Sequence, residues 1–200
     1  MARLMPFATT QSQPRDGEVP FIRWGFMKTF EQHEYDYVAW QNRATRFYLG
    51  ARKLYQSDLW SPAAYCAVMT LELQQKATLI YWDRDFDPAE AAHGMAKLAR
   101  MIGNTVPNAK GHQIPEYFYF EQRYLSATRY PRNGNGIGIP STFLPDLDSV
   151  FARLIQMVPF QHNTVLKSVL SGRNRKALDT FRRGNTNVKE LRHFLGVHVR

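Results

Sequence analysis

At 200 residues, with 44% hydrophobic and 22% charged side chains, the chain has the makeup of a soluble globular protein with one sizeable core. It holds no run of about 18 apolar residues, which argues against a membrane-spanning helix, and its start, MARLMPFATTQSQPRDG, lacks an apolar stretch long enough for a secretory signal. The single cysteine, Cys66, excludes an internal disulfide and any Cys-rich zinc site, so a reducing, cytoplasmic setting is expected.

The net charge of +9 is unevenly placed. Residues 1–34 are balanced and residues 35–160 only slightly basic, whereas residues 161–200 carry nine Lys/Arg against two Asp/Glu. Such an excess suits either a polyanionic partner or a solvated basic helix. Three segments are therefore expected: an N-terminal extension over 1–34, partly irregular; a helical bundle over 35–160; and a basic helical C-terminal extension over 161–200.

In chain order, the polar, proline-bearing residues 1–20 read as loosely ordered. His33 lies in EQHEYD beside Glu31, Glu34 and Asp36. That acidic cluster reads as a charge patch at a helix start rather than a metal site. From Tyr37 the apolar residues Trp40, Ala44, Phe47, Ala51 and Leu54 recur every three or four positions, with Arg43, Arg46 and Lys53 opposite. An amphipathic helix ending near Asp58 follows. Ser61-Pro62 reads as a cap and first-turn proline opening a second helix to about Trp82, apolar on two faces and therefore central. Within it, Glu72 and Lys76 are spaced to pair. Asp87-Pro88-Ala89-Glu90 has the capping-box spacing and predicts a third helix through Ile102, with His93, Lys97 and Arg100 on one stripe. Pro115 opens a helix through Thr128, and Pro145 opens another that Pro159 closes.

Gly134, Gly136 and Gly138 follow a predicted helix and precede Pro140, with no strand before them and no P-loop lysine. They read as an interhelical connection rather than a phosphate loop. The segment from Asn163 to Arg183 reads as helix interrupted at Gly172 and ended at Gly184, and Asn187-Val188-Lys189-Glu190 opens a last short helix that Gly196 stops. The chain leaves no room for a recognition helix after it, so no helix-turn-helix is assigned. No alternating strand is found. The expected fold is all-α, an antiparallel bundle of four to five helices with the basic extension attached.

Three stretches in this order resemble the HEPN family (higher eukaryotes and prokaryotes nucleotide-binding): Leu71-Glu72-Leu73 with Lys76-Ala77, His93 with Lys97-Leu98, and Arg129-Tyr130-Pro131. The resemblance covers about residues 36–160. It implies a helical bundle that often forms a homodimer, binds a nucleotide or RNA without a cofactor, and can partner a small nucleotidyltransferase in a toxin–antitoxin pair. Some HEPN proteins are metal-independent ribonucleases with an arginine and a histidine four to six residues apart on a late helix. That pattern is absent from 36–160 and occurs only at Arg192 and His198, across Gly196.

Candidate binding residues are Lys97 and Arg100 on the third helix; Arg123, Arg129, Tyr130 and Arg132, where guanidinium groups alternate with aromatic rings beside Tyr119 and Tyr124; and Arg173, Arg175, Lys176, Arg182 and Arg183, the densest basic cluster. Each set also has a bland reading, as a solvated face or as packing and capping groups. His93, Arg192 and His198 are the candidate catalytic side chains, because an imidazole can move the protons of RNA cleavage while an arginine steadies the phosphorane. His112 and His162 lack carboxylate or cysteine neighbours, so no metal is assigned. The leading expectation is binding of a nucleotide or nucleic acid without catalysis and without a membrane; the alternative is a ribonuclease toxin.

Overall fold

The computed structural model describes residues 30–89, 91, 94–109, 112–119, 140–159 and 162–198, with side chains in the first helix from Tyr37 onward. Among these residues the protein is all-helical, with no strand. The helices are α1 (Phe30–Tyr55), α2 (Trp60–Trp82), α3 (Met95–Thr105), α4 (Phe143–Gln156), α5 (Thr164–Leu170), α6 (Arg175–Arg182) and α7 (Val188–Phe194), and residues 116–119 are helical as well. No described helix is long and apolar enough to cross a membrane.

The α1–α2 hairpin turns sharply because α1 ends in a Schellman arrangement. Leu59 N–H donates to the Leu54 carbonyl at 2.9 Å and Asp58 N–H to that of Tyr55 at 3.1 Å, with Asp58 at φ +58°. The expected cap at Ser61 is displaced by this turn. α2 starts at Trp60, after Leu59, with no side-chain cap. Ser61 and Pro62 instead lie in the first turn, where proline's missing N–H costs nothing.

Side-chain pairs fix the directions of the long helices. Tyr37 meets Tyr81 edge-on, Lys76 Nζ sits 5.5 Å from the Trp40 ring centre, and a methyl placed on Gly50 would be 3.5 Å from Cys66 Sγ. α1 and α2 are thus antiparallel. Tyr48 stacks on Phe151 with centroids 4.1 Å apart, and Tyr55 stacks on Phe143 at 5.3 Å, so α4 also runs against α1. Thr78 Oγ1 donates to the Leu154 carbonyl and Trp82 Nε1 to that of Met157, which sets α4 parallel to α2.

α2 is the central rod, as its two apolar faces predict: every residue from Thr70 to Ile80 is buried. Each large apolar side chain buried there contributes about 1.5–3 kcal/mol. Several of its polar residues are paired within the helix itself. Thr70 and Thr78 hydroxyls donate to carbonyls one turn back, and Glu72 pairs with Lys76 at 3.1 Å.

The third helix differs from its predicted start. Asp87 Oδ1 accepts the Ala89 N–H at 2.7 Å, closing a turn two residues on instead of capping a helix. α3 begins only after Gly94 and buries Met95, Leu98, Ala99 and Ile102. α5, α6 and α7 then add Leu166, Val169, Leu170, Phe181, Val188, Leu191 and Leu195 to the same core. Residues 1–29, the side chains of the EQHEYD cluster through Asp36, and the glycine tract at 134–138 lie outside the described residues.

Candidate functional site

The C-terminal helices are held against α1 by a buried polar node. Arg52 is fully buried; its Nη1 donates to both oxygens of Asp148, itself 2% exposed, and its Nη2 donates to the Arg183 carbonyl. Nε donates to the Thr180 carbonyl at 3.0 Å, which also accepts from Gln56 Nε2 at 3.2 Å. One guanidinium therefore joins α4 to the last carbonyls of α6, the end where cations are favoured. Tyr48 hydroxyl donates to Asp148 at 2.6 Å and accepts from Asn185 Nδ2 at 2.8 Å. Burial raises the Asp148 carboxyl above its usual range, outweighing the pull of Arg52 and Tyr48, and burial and Asp148 raise the Tyr48 phenol.

A second anchor lies one helical end away. Asn163 caps α5 by accepting the Leu166 N–H at 2.9 Å, and its amide donates to Thr45 Oγ1 at 2.7 Å. Asn42 on α1 accepts the Val165 N–H at 3.1 Å.

On this anchored frame, Arg173, Arg175, Lys176, Arg182 and Arg183 are all exposed, on or beside α6. Gly172 at φ +81° makes the break between α5 and α6, and Asn174 caps α6 through the Ala177 N–H at 3.1 Å. The basic cluster is thus a solvated face by position, with backbone bonds that fix it.

A cleft of about 410 Å³ opens beside it, lined by Thr164, Lys167, Ser168, Ser171, Arg173 and His198, with Gly196 and Val197. Thr164, Lys167, Ser168 and Ser171 recur at helical spacing along one face of α5 and the turn after it. Gly196, at φ +62°, forms a second Schellman end in which Val197 N–H reaches the Arg192 carbonyl at 2.9 Å, and so brings His198 to the cleft. Arg192 is turned elsewhere. Its Nε and Nη2 donate to the Leu170 carbonyl at 3.2 and 3.0 Å, closing the C-terminal end of α5. Partial burial and then the charge of Arg182 lower its pKa. Arg192 thus closes a helix end, and His198 stands at a cleft wall.

A larger cleft, about 620 Å³, lies between α3, residues 112–116 and α4. Arg100, His112, Glu116, Tyr119 and Arg153 contribute its polar lining. Arg153 Nη2 donates to the Gln113 carbonyl at 3.2 Å. Both His112 ring nitrogens are shielded and have no hydrogen-bond partner among the described residues; burial, then the charge of Arg153, lowers its pKa to about 4, so the imidazole is neutral at pH 7.

The chain matches no protein-family model, no curated protein and no solved structure. Its functional surfaces are therefore read from their own chemistry.

Lys97 and Arg100 are exposed on α3, and Arg100 lines the larger cleft. His93, Arg123, Arg129, Tyr130 and Arg132 lie outside the described residues. The residues behind the HEPN resemblance on α2 are interior: Leu71, Glu72, Leu73, Lys76 and Ala77 are all buried, so that stretch contacts neighbours, not solvent. Among the described residues no three His, Cys, Asp or Glu side chains come together as metal ligands. Sequence reasoning missed Lys167, Thr164, Ser168 and Ser171. Their hydroxyl-and-lysine spacing on one face of α5 was the available signal.

Proposed function

We propose that the protein is a HEPN-like helical binding module that contacts a nucleotide or nucleic acid through its C-terminal basic surface, without catalysis. The reading rests on one observation: five exposed cations lie on and beside α6, and one of them, Arg173, lines a cleft together with Lys167 and His198, with no carboxylate among its described lining residues. Arginines on an anchored backbone pair well with phosphates, and their attraction should depend strongly on salt. The commitment of Arg192 to the Leu170 carbonyl favours binding over the ribonuclease alternative, which needs that guanidinium at a reacting phosphate. A homodimer and a small nucleotidyltransferase partner belong to the same proposal by the family resemblance.

The test is a salt titration of RNA binding by the full chain, with cleavage followed in the same samples. Binding should weaken steeply with salt. Arg173→Gln, Arg175→Gln and Lys176→Gln together should flatten the log–log salt slope by about 2, at roughly 0.7 per lost contact to a single strand. Intact RNA throughout is the expected result. Failure to bind RNA, DNA or nucleotides at any salt would overturn the proposal, and cleavage lost in His198→Ala would favour the ribonuclease.

A further inference from the structure

We infer that the cleft between α5 and the Gly196 turn is a phosphate-monoester site, taking the terminal phosphate of a nucleic acid or of a free mononucleotide. The inference deepens the proposed function and rests on it for the nucleic-acid source. Its ground is the composition and shape of one recess. Lys167 and Arg173 supply positive charge, Thr164, Ser168 and Ser171 supply hydroxyls, and His198 closes the wall. Among the described residues no Asp or Glu lines the cleft. Ordinary polar grooves mix both signs, as the larger cleft does with Glu116 beside Arg100 and Arg153.

Two of the three hydroxyls already donate within the protein, which leaves Ser168 as the one with no described bond. Ser171 Oγ donates to the Ser168 carbonyl, and Thr164 Oγ1 bonds Asn42 Oδ1 at a long 3.4 Å. Ser168 is half-buried between them. A monoester at neutral pH carries between one and two negative charges and three terminal oxygens, whereas an internal diester carries one charge and two. A recess with two cations and three hydroxyls matches the former, because each additional charged oxygen gains its own charge-assisted hydrogen bond. At about 410 Å³ the cleft lies within the range of small-molecule sites. The flanking face of Arg175, Lys176, Arg182 and Arg183 would then follow the strand leaving that phosphate.

The experiment compares one RNA oligonucleotide with a 5′-phosphate or a 5′-hydroxyl, and titrates adenosine monophosphate separately, using the full wild-type chain and Ser168→Glu. The glutamate puts a negative charge in the cleft beside Lys167 and Arg173 and leaves the side chains of Arg175, Lys176, Arg182 and Arg183 unchanged. Wild type should bind the 5′-phosphorylated oligonucleotide about tenfold more tightly, the effect of one strong charged hydrogen bond, and Ser168→Glu should bring the ratio to near one. Equal wild-type affinity for both ends, with salt dependence intact and no monophosphate binding, overturns the cleft assignment and leaves the proposed function standing. Monophosphate binding that Ser168→Glu abolishes, without any RNA binding, supports the cleft and overturns the nucleic-acid reading. Should Ser168→Glu fail to fold, the wild-type ratio of the two ends decides alone.

Discussion

Replacing Arg52 by Met should detach the C-terminal helices from the bundle. Arg52 is fully buried and its guanidinium serves three partners at once: Asp148, the Thr180 carbonyl and the Arg183 carbonyl. Methionine fills much of the same volume but leaves a buried carboxyl with only the Tyr48 hydroxyl as its described donor. The Thr180 carbonyl keeps Gln56 as a donor; the Arg183 carbonyl loses its bond from Arg52. Removing one member of a buried ion pair costs about 3–5 kcal/mol. For a chain of this size that is a fall in Tm of roughly 6–20 °C, at about 2–4 °C per kcal/mol.

The companion variant carries Arg52→Met with Asp148→Leu. Burial already works against the Asp148 charge more than Arg52 favours it, so replacing both with apolar groups should recover most of the loss. Urea unfolding followed by dichroism gives the stabilities, and hydrogen exchange locates the damage. In Arg52→Met, protection should fall over 164–194 before it falls in α2. A loss below about 1 kcal/mol, or uniform loss of protection, would refute the clamp.

Acidification should destabilise the protein through His112. Its folded pKa of about 4 lies below the ordinary histidine value of about 6.5. The unfolded chain therefore binds the extra proton between those values, and stability falls as pH drops through that window. After discounting for partial exposure the loss is about 1–2 kcal/mol, and His112→Leu should flatten the profile measured by urea unfolding from pH 4 to 7; an unchanged slope would count against it. Gln74 is fully buried with neither amide atom bonded, so Gln74→Met should raise stability by about 1 kcal/mol in the same assay, since an unpaired buried amide is costly. A loss would mean that ordered water satisfies the amide. Arg192→Met should cost about 1.5–3 kcal/mol by removing the charged donor from the Leu170 carbonyl, with RNA affinity at low salt reduced no more than one cation's share. A large selective loss of RNA affinity or cleavage with stability intact would place Arg192 at the ligand instead.

Much of the helical order could be read from the sequence because it rests on local rules. α2 was legible as the central rod from its two apolar faces. Gly172, Gly184 and Gly196 were legible as helix stops, and each adopts the positive φ that glycine accommodates. Asp87 misled because its carboxylate reaches the N–H two residues on before it can reach the third, a local competition that spacing alone does not resolve. Arg52 was not legible at all. It lies four residues after Tyr48 on the buried face, but the acid that neutralises it is 96 residues away. The clefts were illegible for the same reason. Arg153 and His112 approach each other, as do Lys167 and His198, only once separate elements have packed.

The buried node also bears on how the basic extension could bind. Nine cations on a loose chain would lose conformational freedom when they meet phosphates, and each immobilised long side chain costs about 0.5–1.5 kcal/mol before backbone ordering is counted. Here folding has already ordered the backbone: Asn163 fixes the start of α5, Arg192 its end, and Arg52 the end of α6. The bulk of the ordering is thus completed before any ligand arrives. For the same reason, deleting 161–200 would not isolate the role of its charge, because the deletion also strips Leu166, Leu170 and Phe181 from the core and strands Arg52. Neutralising exposed side chains while keeping their backbone separates the two. If binding survives neutralisation of α6 but is lost in Arg52→Met at a temperature where the bundle stays folded, geometry rather than charge carries the interaction, and the proposed phosphate contacts are wrong.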